Sequence, residues 1–261
     1  MKSLRKYGHA PYSVAVLHGG PGAAGEMVPV AQELSKHQGT LEPLQTKATI
    51  DGQIQELARI LETHGDSPLT LIGHSWGAWL AIIYTARYPQ SVKKLILVGS
   101  GPFEERYVPQ ITMTRFSRMS DKEQRTLEAL VAVLNDPRGR RKDAVLARVG
   151  TMLLKTDSYK PLTDAETPVD TRYRIFEHVW KEADEMRHSG ELLSLVRHLR
   201  CPVVAIHGQY DPHPFEGVQR PLSTTSTEFA FILLKKCGHY PWIERYAKQE
   251  FYGILERELA L

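Results

Sequence analysis

No apolar run in the sequence approaches the ~18 residues that a membrane-spanning helix needs. The N-terminal stretch MKSLRKYGHAPY is basic but has no apolar segment behind it, so no export signal is expected. Cysteine is scarce: only Cys201 and Cys237 are present. Two thiols and no export signal point to a reduced, cytoplasmic protein rather than a disulfide scaffold. Charge of one sign is lacking too. The 33 Lys and Arg nearly balance the 30 Asp and Glu, a net charge of +3, which gives no electrostatic footprint for nucleic acid or for an anionic membrane surface. There is no G-x-G-x-x-G and no G-K-[ST], so neither a dinucleotide nor a nucleoside triphosphate is expected. No repeat, low-complexity tract or charge block interrupts the chain. No cofactor or metal is implied, and the oligomeric state is not legible.

What is present is ordinary globular material. Of 261 residues, 42% are hydrophobic and 24% charged, enough for one large domain or two small ones. Short apolar, β-branched runs recur at Val14–Leu17, Leu69–Ile72, Lys94–Val98, Pro202–His207 and Phe229–Leu234, with a weaker candidate at 41–46. Between them lie helical patterns at 25–36, 50–64 and 76–88, and another closes the chain at about 244–259. In the second of these, Ile54, Leu57, Ala58 and Leu61 repeat at helical spacing, and Asp51 is the expected cap. Strands alternating with helices predict an α/β protein with a mainly parallel sheet covered on both faces. Between about Phe103 and Leu199 the alternation stops and only helical patterns remain. Residues 103–199 therefore read as a helical cap inserted into a core made of 1–102 and 200–261. The cysteines stand at the start of one strand and just beyond the end of another. In parallel neighbours those positions lie at opposite edges, farther apart than a disulfide spans, so two free thiols are expected.

The sharpest local signal is Gly73-His74-Ser75-Trp76-Gly77, a G-x-S-x-G between a strand and a helix. Such a turn is sharp, and its glycines remove Cβ clashes, so Ser75 is lifted out at the carboxyl edge of the sheet as a nucleophile. A serine hydroxyl needs a base. His239, in the loop after the last strand, is placed for that role. His207 ends a strand and reads as buried, and His213 is an outside candidate for a substrate contact. Asp211, in the loop after another strand, is the acid that orients the base. Negative charge developing on a carbonyl oxygen needs donors. The Trp76 N–H at a helix N-terminus is one. The second is expected from His18-Gly19-Gly20-Pro21-Gly22, with Gly20 N–H first and Gly19 as fallback.

HGGPG, GHSWG, the Asp211 loop and the Gly-His239 loop, in that order, resemble the α/β-hydrolase family over essentially the whole chain. The pair HGGPG and G-x-S-W-G resembles, more narrowly, its proline iminopeptidase branch, which releases N-terminal proline. The resemblance implies an α/β-hydrolase fold with a helical cap and a Ser75–His239–Asp211 triad. Two departures stand out. Too little chain precedes Val14 for the strands that usually open this fold, so a sheet of about six strands is expected. The D-x-R-G segment usual in the iminopeptidase branch is missing after Gln38.

An aminopeptidase needs a cap carboxylate for the substrate ammonium. Glu177 and Glu182, beside Trp180, are the candidates, although cations slightly outnumber carboxylates across the cap and a solvated helix face is the better reading of both glutamates. Met113, Phe116, Met119, Leu153 and Trp180 are either an apolar acyl pocket or plain packing within the cap. The expected activity is hydrolysis of small carboxylic esters. The alternatives are an aminopeptidase on short peptides and, lastly, a non-catalytic ligand-binding protein on the same scaffold.

Overall fold

The computed structural model describes residues 2–162, 169–225 and 228–260. Its main sheet has seven strands: β1 (Leu4–Tyr7), β2 (Tyr12–Leu17), β3 (Gly39–Pro43), β4 (Leu69–His74), β5 (Val92–Val98), β6 (Val203–Gly208) and β7 (Phe229–Leu234). They stand in the order β1-β3-β2-β4-β5-β6-β7. All pairings are parallel except β1 with β3. The sheet is thus one strand larger than expected. The extra strand, LRKY, is short and half-buried, and the adjacent cations Arg5 and Lys6 hid it. It is held to the edge by Arg5 and the Tyr7 hydroxyl, which both donate to the buried Glu42 carboxylate, at 3.2 and 2.7 Å.

Each central strand feeds two cores. Ala15 and Leu17, Leu95 and Leu97, Val203 and Ala205 face one cluster. The residues between and beside them, Val14 and Val16, Ile96 and Val98, Val204 and Ile206, face the other. A strand buried on both faces must be apolar throughout, which is why these runs show no polar alternation. The first cluster is covered by α2 (Ile50–His64) and α3 (Trp76–Arg87), the second by α1 (Val28–Leu34) and α10 (Lys248–Ala260). The cap of α2 is Thr49, whose side chain accepts from Gly52 N at 3.1 Å, rather than Asp51. Asp51 sits in the first turn and pairs with Arg87 instead.

Between β5 and β6 lie α4 (Val108–Ser117), α5 (Asp121–Asn135), α6 (Lys142–Asp157), α7 (Tyr173–His188) and α8 (Glu191–Leu195). They divide by packing. Met119, Leu127, Leu134, Leu146 and Val149 form a small core of their own. Ile175, Val179 and Ala183 of α7 and Leu192 of α8 join the sheet core instead. α9 (Glu216–Thr225), which Gly217 and Pro221 obscured in the sequence, follows β6. Among the described residues no helix is long and apolar enough to cross a membrane.

The chain leaves β2 toward β3 on one side and returns through α2 to place β4 on the other side of β2. The loops after β2 and β4 therefore diverge, opening the crevice at the strand carboxyl ends where ligands bind in such sheets.

Candidate active site

Ser75 stands between β4 and α3 with φ +51° and ψ −116°, a conformation that costs a non-glycine residue energy and persists only where its surroundings impose it. Here Ser75 N donates to Val98 O at 2.9 Å. Gly77 is needed because a Cβ there would collide with the Leu17 and His18 carbonyls of the neighbouring β2 end. The Gly20 and Trp76 N–H groups have no acceptor among the described residues, whereas the fallback donor, Gly19 N–H, is occupied by the Glu26 carboxylate. The Trp76 indole donates to Gln45 Oε1 at 2.9 Å, and Gln45 Nε2 donates to His18 O at 2.9 Å. Gln45 thereby ties the helix start to the HGGPG loop.

The loops after β6 and β7 bring Asp211 and His239 together: Nδ1 of His239 lies 2.7 Å from Asp211 Oδ2. Gly99 lets them approach, since a Cβ there would crowd His239 Nδ1 at 3.1 Å and Asp211 Oδ2 at 3.3 Å, and its φ of +51° suits glycine. The other Asp211 oxygen accepts from His213 twice, from its backbone N–H at 2.9 Å and from Nδ1 at 2.7 Å. The His213 ring stacks on His239, centroids 4.5 Å apart. Burial works to raise the Asp211 pKa, but His239, His213 and His207 together hold it well below the usual carboxylate range. His207 is buried as expected. Its Nε2–H donates to His213 O at 2.9 Å, its Nδ1 has no partner, and burial lowers its pKa. Asp211, His213 and His239 also have donor atoms spaced closely enough for a metal. Each Nδ1, however, needs its proton for Asp211, so the arrangement is built to hold protons.

The His239 loop is held from the far side by residues that the sequence did not single out. The buried Glu244 carboxylate accepts from Gly238 N, Tyr159 N and Lys160 N at 2.6–2.8 Å. His239 N donates to Asp157 O at 2.8 Å. The Asp157 carboxylate is gripped by the Arg115 guanidinium through Nε and Nη2, the shortest bond being 2.6 Å. Arg118 lies 3.5 Å over the Tyr210 ring. Most of these contacts join residues far apart in the chain, by 42 positions for Arg115 and Asp157 and by 85 for Tyr159 and Glu244, and no local pattern announces them.

The remaining candidates are dispersed. Glu182 Oε2 accepts from Ile50 N at 2.7 Å, at the start of α2. Glu177 accepts from the Tyr173 hydroxyl at 2.9 Å. Trp180 is stacked between Phe176 and Trp79. The five apolar residues considered as one pocket are separated: Met113 is 71% exposed, whereas Phe116, Met119 and Leu153 pack in the small core of the α4–α6 region.

The sequence profile described as alpha/beta hydrolase fold matches residues 35–246. A proline iminopeptidase of Lactobacillus delbrueckii subsp. bulgaricus is 30% identical over 99 residues, covering 31% of this chain and 34% of that protein. The aligned stretch is thus about a third of that relative's length. Among solved structures, VinJ superposes with a TM-score of 0.71 at 15% identity, over 98% of this chain and 94% of VinJ. A structure from the thaumarchaeon Nitrososphaera gargenis, from work on carboxylesterases, superposes with a TM-score of 0.65 at 20% identity, over 98% of this chain and 93% of that one. At these identities the structures share the fold.

Proposed function

Because the chain belongs to the alpha/beta-hydrolase fold family, we propose that it is a serine hydrolase that cleaves small carboxylic esters, with Ser75, His239 and Asp211 as its triad. The observation that carries this reading is the 2.7 Å Asp211–His239 bond at the same sheet edge as the strained Ser75 turn. Ser75 Oγ attacks the ester carbonyl carbon while His239 Nε2 takes its proton. Asp211 keeps the Nδ1–H tautomer and stabilises the imidazolium that forms. The Gly20 and Trp76 N–H groups accept the charge that develops on the carbonyl oxygen. Collapse expels the alcohol, which leaves with the proton from His239. Water then attacks the acyl-enzyme with His239 again as base.

The second reading, an aminopeptidase on short peptides with N-terminal proline, rests on the local likeness to proline iminopeptidase. It needs a carboxylate free to bind an ammonium. Glu177 and Glu182 are each engaged by another partner, and the groups supporting the His239 loop include the cations Arg115 of α4, on Asp157, and Arg118 just after it, over Tyr210. These placements favour an ester. The deciding measurement is kcat/KM on p-nitrophenyl butyrate and on proline p-nitroanilide, for wild type and Ser75→Ala. The ester should turn over, the anilide should not, and Ser75→Ala should lower the rate on the order of 10⁴–10⁶-fold. Equal rates for wild type and Ser75→Ala would overturn the triad.

A further inference from the structure

The residue before Ser75 carries chemistry that the triad does not use. His74 is buried, and both of its ring nitrogens face acceptors. Nδ1 lies 2.6 Å from Glu26 Oε1, and Nε2 lies 3.0 Å from the His239 carbonyl oxygen. The carbonyl can only accept, so Nε2 must carry a hydrogen. The same Glu26 oxygen accepts from Gly19 N–H, and with Glu26 ionised Nδ1 is the donor of the remaining contact. An imidazole that donates at both nitrogens is positively charged.

We propose that His74 stands as a doubly protonated imidazolium paired with the Glu26 carboxylate, and that this buried ion pair is a positioning device beneath the active site. Three pieces of the site converge on it. Glu26 fixes the Gly19 peptide, leaving Gly20 N–H to face substrate. His74 is covalently joined to Ser75. Its Nε2–H anchors the main chain of His239, and its ring packs 4.6 Å from the His239 ring. Although burial works to raise it, the Glu26 pKa is lowered, with His74 the largest opposing cause and His18 further off. The positive member of the pair is the nearer one to His239. The other groups facing His239 are Asp211, the stacked His213, His207 across Asp211, and Tyr240, whose ring lies 5.3 Å from that of His74. Arg115 and Asp157 stand behind its peptide.

The positioning role rests on the reading of Ser75 and His239 as nucleophile and base, whereas the protonation state of His74 can be read without any turnover. The test is ¹⁵N NMR of the imidazole nitrogens in the full chain, with His74 assigned by loss of its signals in His74→Gln. Both His74 nitrogens should be protonated from pH 6 to pH 8. In Glu26→Gln, which removes the negative charge, only one should be; the amide must turn to offer its NH₂ to Nδ1, because one oxygen serves both Gly19 and His74 in the wild type. In Glu26→Gln kcat on the ester should fall by about fivefold with KM unchanged, because Glu26 holds the Gly19 peptide and His74 rather than substrate. A wild-type His74 with one bare nitrogen at pH 7 would overturn the ion pair. A Glu26→Gln kcat equal to that of wild type would overturn the positioning role. If Ser75→Ala retains activity, the reading of the triad fails while the ¹⁵N result stands.

Discussion

A carboxylate has two oxygens, and Asp211 spends both on imidazoles. Oδ2 serves His239 and Oδ1 serves His213. Removing the second donor frees Asp211 to turn. His213→Ala should therefore lower kcat/KM on the ester by about tenfold, the value of one hydrogen bond to a charged group. His213→Asn places an N–H where Nδ1 stood and should recover most of the loss. If Asn is as poor as Ala, His213 acts through substrate rather than through Asp211. His207 makes a different prediction. Its pKa is depressed by burial, so the folded chain keeps it neutral while the unfolded chain binds a proton below its ordinary value of about 6.5. The unfolded state then holds more protons, and stability falls as pH drops below about 6.5. Asp211, depressed as well, adds a further loss only below the ordinary carboxylate range. Thermal unfolding followed at pH 7.5 and 5.5 in both chains should show wild type losing Tm relative to His207→Gln at pH 5.5, since the other histidines contribute equally to both. An equal loss in the variant would place the proton elsewhere.

At the scale of elements, the informative contacts are those in which one element completes another. Helix α2 begins with N–H groups that no residue of its own first turn can satisfy. Thr49 takes the one at Gly52, and Glu182, reaching over from α7, takes the one at Ile50. Glu182→Gln keeps an acceptor but loses the charge at the helix N-terminus. It should cost about 1 kcal/mol in urea unfolding and leave the ratio of ester to anilide hydrolysis unchanged. A changed ratio would return Glu182 to the substrate site. The C-terminus of α6 performs a similar service for the His239 loop, because Asp157 accepts from His239 N while Arg115 of α4 holds its carboxylate. The caps of α5 lie within four residues, where Ser120 and Glu123 form a capping box. The capping of α2 differs from the sequence reading, which chose Asp51 where Thr49 is the cap, and Glu182 is 132 positions away.

Across the whole molecule, the parallel sheet sorts residues by edge. The carboxyl ends of β2 to β7 all emerge on one side, so six loops distant in sequence meet at one edge. The same sorting keeps the thiols apart: Cys201 enters the sheet and Cys237 leaves it, and both are free and buried. Burial pushes the Cys201 thiol up to about 11 and Cys237 higher still. Neither should react with a disulfide reagent in the native protein at pH 8, and two should react after unfolding. One fast-reacting native thiol would mean that an edge of the sheet opens.

The amino-acid order alone determined the central strand runs, because a doubly covered strand must be continuously apolar. It also determined the Ser75 turn, because a strand that turns straight into a helix against β2 requires glycine at Gly77. The placing of His239 and Asp211 in loops after strands was legible for the same reason, since parallel strands deliver their loops to one edge. The tertiary structure alone decided how the site is supported. Glu26 under His74, Gln45 under Trp76 and Glu244 behind Gly238 are polar groups whose partners lie 6 to 48 residues away. It also decided that Glu182 caps a helix and that the helices between β5 and β6 divide between two cores. Burying a polar group requires a partner in space, and which partner is a matter of how the chain closes on itself rather than of any local pattern.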